Sequence, residues 1–241
     1  MHAIKSQHSN VFWLMSKFFA EGRLRMIYGN HDMVKKDRDF AVCYDYYYDE
    51  RRGCLSPLFP RISMEGGLIL KHRAYKRSFF LAHGHQGDLI NDKWWKLGRF
   101  QVRYLWGPLD QFGGNDPTGA AKNEKKRNET ERRLMSWVEQ NDQIMIAGHT
   151  HRPVFPSVGQ IPYFNDGSCV HPRCITAIEI VKGNIMLVKW FINTGKDGIL
   201  FIDREVLAGQ NSLSDYLSDG SAREKTPREA LPGFDKLTIC N

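Results

Sequence analysis

Long apolar runs are missing from this chain. No stretch of its 241 residues approaches the roughly 20 apolar residues that a membrane-spanning helix needs. The opening Met-His-Ala-Ile-Lys-Ser-Gln-His also lacks the apolar core of a secretory signal. Paired cysteines are missing too. The five cysteines, Cys43, Cys54, Cys169, Cys174 and Cys240, are odd in number and form no Cys-x-x-Cys. That pattern argues against a disulfide framework and a structural zinc knuckle, and fits a reducing, cytoplasmic compartment. No internal repeat is visible. Negative charge is in short supply: 27 acidic against 34 basic side chains leave a net +7. The excess favours anionic partners without choosing among phosphorylated substrates, nucleic acid and an anionic membrane surface. Much of it sits in local runs such as Lys122 to Arg133, which fit a solvated helix face.

What remains is an ordinary globular composition, 41% apolar and 25% charged. Val11 to Phe19 has a helical pattern stopped by Glu21-Gly22, and Leu24 to Tyr28 is a short apolar strand ending at Gly29. Asp37 to Pro60 mixes aromatics, charges and breakers and gives no periodic signal. Gly67 to Lys71 and Ser78 to Ala82 read as strands, and so does Gln143 to Ala147. Asn123 to Asn141 reads as a charged amphipathic helix with Leu134, Trp137 and Val138 on one side. Thr176 to Val181 and Asn184 to Phe191 flank Lys182-Gly183 as a β-hairpin. The polar tail from Gly209 to Pro232 reads as a poorly ordered arm.

Three times a buried strand runs straight into a glycine and histidine block: Gly29-Asn30-His31-Asp32, His83-Gly84-His85 and Gly148-His149-Thr150-His151. In α/β sheets, ligands collect at the C-terminal ends of strands. On an extended backbone, His149 and His151 would project to one side and reach one small volume. Neutral imidazole suits zinc, manganese and iron, and an Asn oxygen adds a ligand without charge. His31 beside Asp32 suggests an imidazole oriented by a carboxylate, fit for acid–base work on a phosphoryl group. Taken singly, each block also reads as a hydrogen-bonded loop. Three such junctions in one domain are harder to explain by structural needs.

In these blocks the chain resembles the calcineurin-like metallophosphoesterase superfamily. That family's order is Asp-x-His, Gly-Asp-x-x-Asp, Gly-Asn-His-Asp, His-Gly and Gly-His-x-His. The resemblance runs from about Leu24 to Phe191, apart from residues 92–141. It implies an α/β fold with a β-sandwich flanked by helices in αββα layers, lacking its first strand and carrying a helical insertion. It implies a domain over residues 1–208, with 92–141 as a cap-like insertion and 209–241 as a polar C-terminal extension. By analogy Asn30, His83 and His149 bind one divalent metal and His151 a second, with manganese, iron or zinc as candidates. His31 would contact the phosphate or protonate the leaving group, oriented by Asp32. No role for His85 follows from the resemblance, and Asn165-Asp166-Gly167-Ser168 resembles the turn that often follows the last metal block.

The family's first two blocks do not precede Gly29. The expectation is therefore an N-terminally incomplete member that holds one metal or none, with weak hydrolysis of a phosphomonoester, phosphodiester or pyrophosphate. An exposed sheet edge left by the missing strand would favour self-association. Lys93 to Phe112 interleaves Trp94, Trp95, Phe100, Tyr104 and Trp106 with basic residues. It is placed like the helical insertion of bacterial UDP-2,3-diacylglucosamine hydrolases, which implies a cap over a lipid-linked or other phosphorylated small-molecule substrate. Its Trp beside Lys and Arg also fits a peripheral membrane contact, or a packed helical pair that simply buries its Trp residues. The alternative function is a catalytically impaired domain that binds nucleic acid, a membrane or a protein. No nucleic-acid motif supports that alternative.

Overall fold

The structure, a computed structural model, describes residues 5, 7–31, 33–36, 46–85, 124–171, 173–218 and 238–240. The chain divides into two compact units, residues 1–65 and 66–241. The aromatic–basic stretch from Lys93 to Phe112 lies outside the described residues, as does most of the tail beyond Leu217.

In the first unit, α1 (Ser9–Ala20) covers the hairpin of β2 (Tyr46–Asp49) and β3 (Cys54–Pro57). Phe12, Trp13, Met15 and Phe19 pack on Tyr47, Leu58 and Phe59. The hairpin alternates, with Tyr47 and Asp49 buried and Tyr46 and Tyr48 exposed. Three consecutive tyrosines hide that period of two from a hydropathy reading. The strand expected over Leu24 to Tyr28 shrinks to β1 (Met26–Ile27), paired in parallel with β4 (Met64–Glu65).

The second unit is built on one sheet of five strands in the order β12-β5-β6-β7-β8. These are β5 (Gly67–Lys71), β6 (Ser78–Ala82), β7 (Ile144–Ala147), β8 (Tyr163–Asn165) and β12 (Thr238–Cys240). Strands β6, β7 and β8 run parallel, and β5 runs antiparallel to β6. Among the described strands, β5, β6, β7 and β8 are successive hydrogen-bonded neighbours.

Alternation gives this sheet two buried faces. Phe80, Ala82, Met145, Ala147 and Tyr163 point one way, onto Leu134 and Val138 of α2 (Glu124–Gln140). Phe79, Ile144 and Phe164 point the other way, onto Ile185 and Ile178 of a second sheet. That sheet has the order β11-β10-β9 and comprises β9 (Cys174–Val181), β10 (Asn184–Thr194) and β11 (Leu200–Ser212). The second unit is thus stacked helix on sheet on sheet, a mixed α/β arrangement as the sequence implies.

The β9–β10 hairpin turns at Lys182 and Gly183 with φ of 50° and 78°, the paired positive values that a two-residue hairpin turn needs. Residues 208 and 209 lie inside β11, which is followed by α3 (Ser214–Leu217). Leu213, Tyr216 and Leu217 are buried in the core between the sheets. Arg77 fastens this end by donating from Nη1 to the Tyr216 carbonyl at 2.8 Å.

Phe164 is 0% exposed, and its ring centroid lies 5.1 Å from both Phe155 and Tyr216. Removing it leaves a cavity between the two sheets that flanking backbone cannot refill. Phe164→Ala should therefore cost about 3–5 kcal/mol of unfolding free energy, read from the urea midpoint. An unchanged midpoint would mean that the inter-sheet core does not depend on this ring.

Candidate active site

Parallel pairing decides which loops meet. Leu81 of β6 lies opposite Ile146 of β7, and Ala147 opposite Asn165 of β8. The residues beyond these strand ends are therefore neighbours. The Gly148 N–H donates to the His83 carbonyl at 3.1 Å, and the Asp166 N–H donates to the Ala147 carbonyl at 2.9 Å. His83 to His85, Gly148 to His151, and Asn165 to Ser168 form one edge. Gly84 has φ of 98°, and a Cβ there would come within 3.1 Å of the Gly148 carbonyl oxygen. Only glycine permits both that backbone geometry and that approach.

This edge gathers imidazoles. Ring centroids are 5.2 Å apart for His83 and His149, 5.2 Å for His83 and His85, and 6.4 Å for His85 and His149. His85, without a role in the sequence reading, is 1% exposed and forms the buried back of the cluster. His83 and His149 are half-buried and His151 is exposed.

The loop after β7 is not extended as the same-side argument assumed. His149 has φ of 68° and His151 φ of 55°, both left-handed. Thr150 N–H donates to the Gly148 carbonyl at 2.8 Å, which closes a three-residue turn on His149. Such backbone is costly for a residue with a Cβ and persists only where surroundings enforce it.

The surroundings here are specific. Thr150, 1% exposed, donates from Oγ1 to Glu131 Oε1 at 2.8 Å. Asn165, 0% exposed, donates from Nδ2 towards the Gly148 carbonyl at 2.9 Å, Thr150 Oγ1 at 3.1 Å and the Tyr163 hydroxyl at 3.0 Å. Its Oδ1 accepts the Gly167 N–H at 2.9 Å. Arg152 donates from Nε to Glu131 Oε1 at 3.2 Å and from Nη2 to Oε2. Burial pushes the Tyr163 hydroxyl up to about 12, so it stays protonated beside Asn165.

A carboxylate that the sequence reading placed only in a turn, Asp166, also reaches this edge. A Cβ on Gly148 would lie 3.0 Å from Asp166 Oδ1. Its signal was positional, since it follows a strand of the same parallel set. Desolvation pushes the Asp166 carboxyl up to about 6, although the residue keeps contact with solvent.

The first unit carries its own candidates. Tyr28 ends β1 by donating its N–H to the Glu65 carbonyl at 3.1 Å, and Asn30 and His31 follow in a turn. Asn30 Oδ1 is buried with no hydrogen-bond partner among the described residues. His31 is exposed, and Asp32 lies outside the described residues.

The profile of calcineurin-like phosphoesterases matches residues 5–153 of this chain. The chain belongs to that family. The match takes in all three glycine and histidine blocks, and as a calcineurin-like phosphoesterase the protein is a hydrolase of phosphate esters by family. No curated protein and no solved structure gives a match. Calcineurin-like phosphoesterases use divalent metals. In the second unit the imidazole pair His83 and His149 fits one, and in the first unit, taken by itself, the Asn30 oxygen is a candidate donor. The fit is partial. Among the described residues no three His, Cys, Asp or Glu side chains form a ready metal cage.

The Asp166 shift has a measurable sign. A carboxyl raised from 3.8 to about 6 holds its proton longer in the folded chain than in the unfolded one. Its contribution is complete below about pH 4 and is lost as pH rises through about 6. In metal-free buffer, wild-type stability relative to Asp166→Asn should fall across that window. Parallel melting curves from pH 4 to 7 would show instead that solvent screens the group.

Proposed function

We propose that this phosphoesterase acts through a single, ligand-poor metal pocket at the histidine edge, with weak turnover of small phosphate esters. The observation that carries the reading is the meeting of His83 and His149 at adjacent parallel strand ends, their rings 5.2 Å apart. These two side chains would hold a divalent cation, with manganese, iron and zinc all suited to imidazole donors. His151, next along the loop, would serve a second cation. Asn30 is the first unit's candidate ligand. A bound cation supplies Lewis-acid polarisation of a phosphoryl oxygen and an activated water.

The chain's own residues supply the rest. His31, exposed after β1, would contact a phosphoryl oxygen or give a proton to the leaving alkoxide, and Asp32 would orient its ring. The candidate ligands on the described residues, imidazoles and one amide oxygen, are neutral and few. Affinity for a second cation should then be poor, and the nucleophile only partly activated. The substrate class is a phosphorylated small molecule, the lipid-linked kind resting only on the position of the insertion.

The test combines stoichiometry with turnover. Calorimetric titration with Mn²⁺ should show at most one tight site per chain. Hydrolysis of p-nitrophenyl phosphate and its bis ester should be slow and Mn²⁺-dependent. His149→Ala should weaken Mn²⁺ binding by at least about 10-fold and remove the metal-dependent rate. Two tight sites with rapid turnover would overturn the ligand-poor pocket. Absence of any Mn²⁺ binding or metal-dependent hydrolysis would overturn the enzymatic reading in favour of a binding module.

A further inference from the structure

Glu131 is an anomaly within its helix. It lies at i−3 and i−7 from Leu134 and Val138, so it shares their core-facing stripe. It is only 2% exposed, whereas carboxylates are rarely buried unless paired. Its partners are two residues of one loop, on either side of His151. Thr150 Oγ1 donates to Oε1 at 2.8 Å, and Arg152 donates to both oxygens. The loop backbone is left-handed at His149 and at His151, on either side of Thr150.

We infer that Glu131 is a positioning residue for metal binding: through Thr150 it holds the strained loop that presents His149 and His151. This deepens the proposed metal pocket and rests on that reading. Relaxing His149 to ordinary right-handed or extended backbone would swing its imidazole away from His83, 5.2 Å off between ring centroids. Thr150 is the point of leverage, because it joins Glu131 on one side to Asn165 on the other at 3.1 Å. Asn165 also ties down the Gly148 carbonyl at the loop's start. Arg152 neutralises the buried carboxylate and anchors the loop's exit.

The geometry separates the two branches. Glu131→Gln keeps an acceptor at Oε1 for Thr150 while discarding the charge that faces Arg152. Thr150→Val removes the hydroxyl at nearly constant volume. Arg152→Met removes the other branch while leaving the Thr150 bond in place.

Calorimetric titration of the full chain with Mn²⁺ alone, well below each variant's melting temperature, tests this. Glu131→Ala and Thr150→Val should each weaken Mn²⁺ affinity by about 10–100-fold, the usual cost of losing an outer-shell support. Glu131→Gln should recover most of the loss, and the Glu131→Ala/Thr150→Val double variant should lose little more than either single one. If Glu131→Ala does not fold, Thr150→Val and Glu131→Gln carry the same comparison. Folded variants with affinity within about threefold of wild type would overturn the inference while leaving the metal pocket standing. A wild-type chain that binds no Mn²⁺ would sink the pocket itself, and the inference with it.

Discussion

Three parallel strands that end at one level leave their last carbonyls and the next amides without ladder partners, and buried backbone groups must find others. In this protein the histidine loops supply them. The His83 carbonyl takes the Gly148 N–H, and the Ala147 carbonyl takes the Asp166 N–H. What the sheet cannot satisfy falls to the Asn165 side chain, whose Nδ2 serves the Gly148 carbonyl and Thr150 and whose Oδ1 serves Gly167. The loops therefore cannot drift independently. Moving one means breaking bonds in the next, in a site where each lost partner leaves a desolvated polar group.

The two-faced sheet fixes where that edge lies. Phe80, Met145 and Tyr163 on one face and Phe79, Ile144 and Phe164 on the other set the register of the strands. A slip by one residue would exchange the two faces and carry His83 and Gly148 out of line. Helix α2 contributes twice. Leu134 and Val138 seal one face of the sheet, and Glu131, a turn nearer the helix start, bonds the loop beyond β7. Packing and loop geometry are thereby coupled through one rigid element.

Much of this was legible in the sequence, and the exceptions have physical causes. Strands β5 and β6 fall where the short apolar runs place them, and the Leu134, Trp137 and Val138 stripe marks the buried side of α2. The glycine and histidine blocks were legible because glycine and imidazole have few other reasons to end strand after strand. β11 was not legible: Ile202 at 71% and Leu200 at 66% exposed sit in a ribbon apolar on its outer surface, so burial imposes no alternation. The left-handed turns at His149 and His151 were hidden because nothing local demands them. They come from Thr150, Glu131 and Asn165, which are distant in sequence. Asp166 and Glu131 were passed over for a related reason, since spacing identifies neighbours along a chain and not across parallel strands.

The buried Glu131–Arg152 pair bears on why such a loop is held at all. Buried ion pairs are poor sources of stability, because desolvating the charges offsets most of their attraction. An apolar residue at position 131 would continue the Leu134 and Val138 stripe at little or no cost to folding. It would offer no acceptor to Thr150, whose hydroxyl would then be buried against hydrocarbon with only Asn165 to meet it. The left-handed backbone at His149 and His151 costs energy as well. Both expenditures fall on the same four-residue segment, the one that carries His149 and His151. A segment that only joined β7 to β8 would have cheaper conformations available, so the cost of this one accords with the role proposed for the two imidazoles.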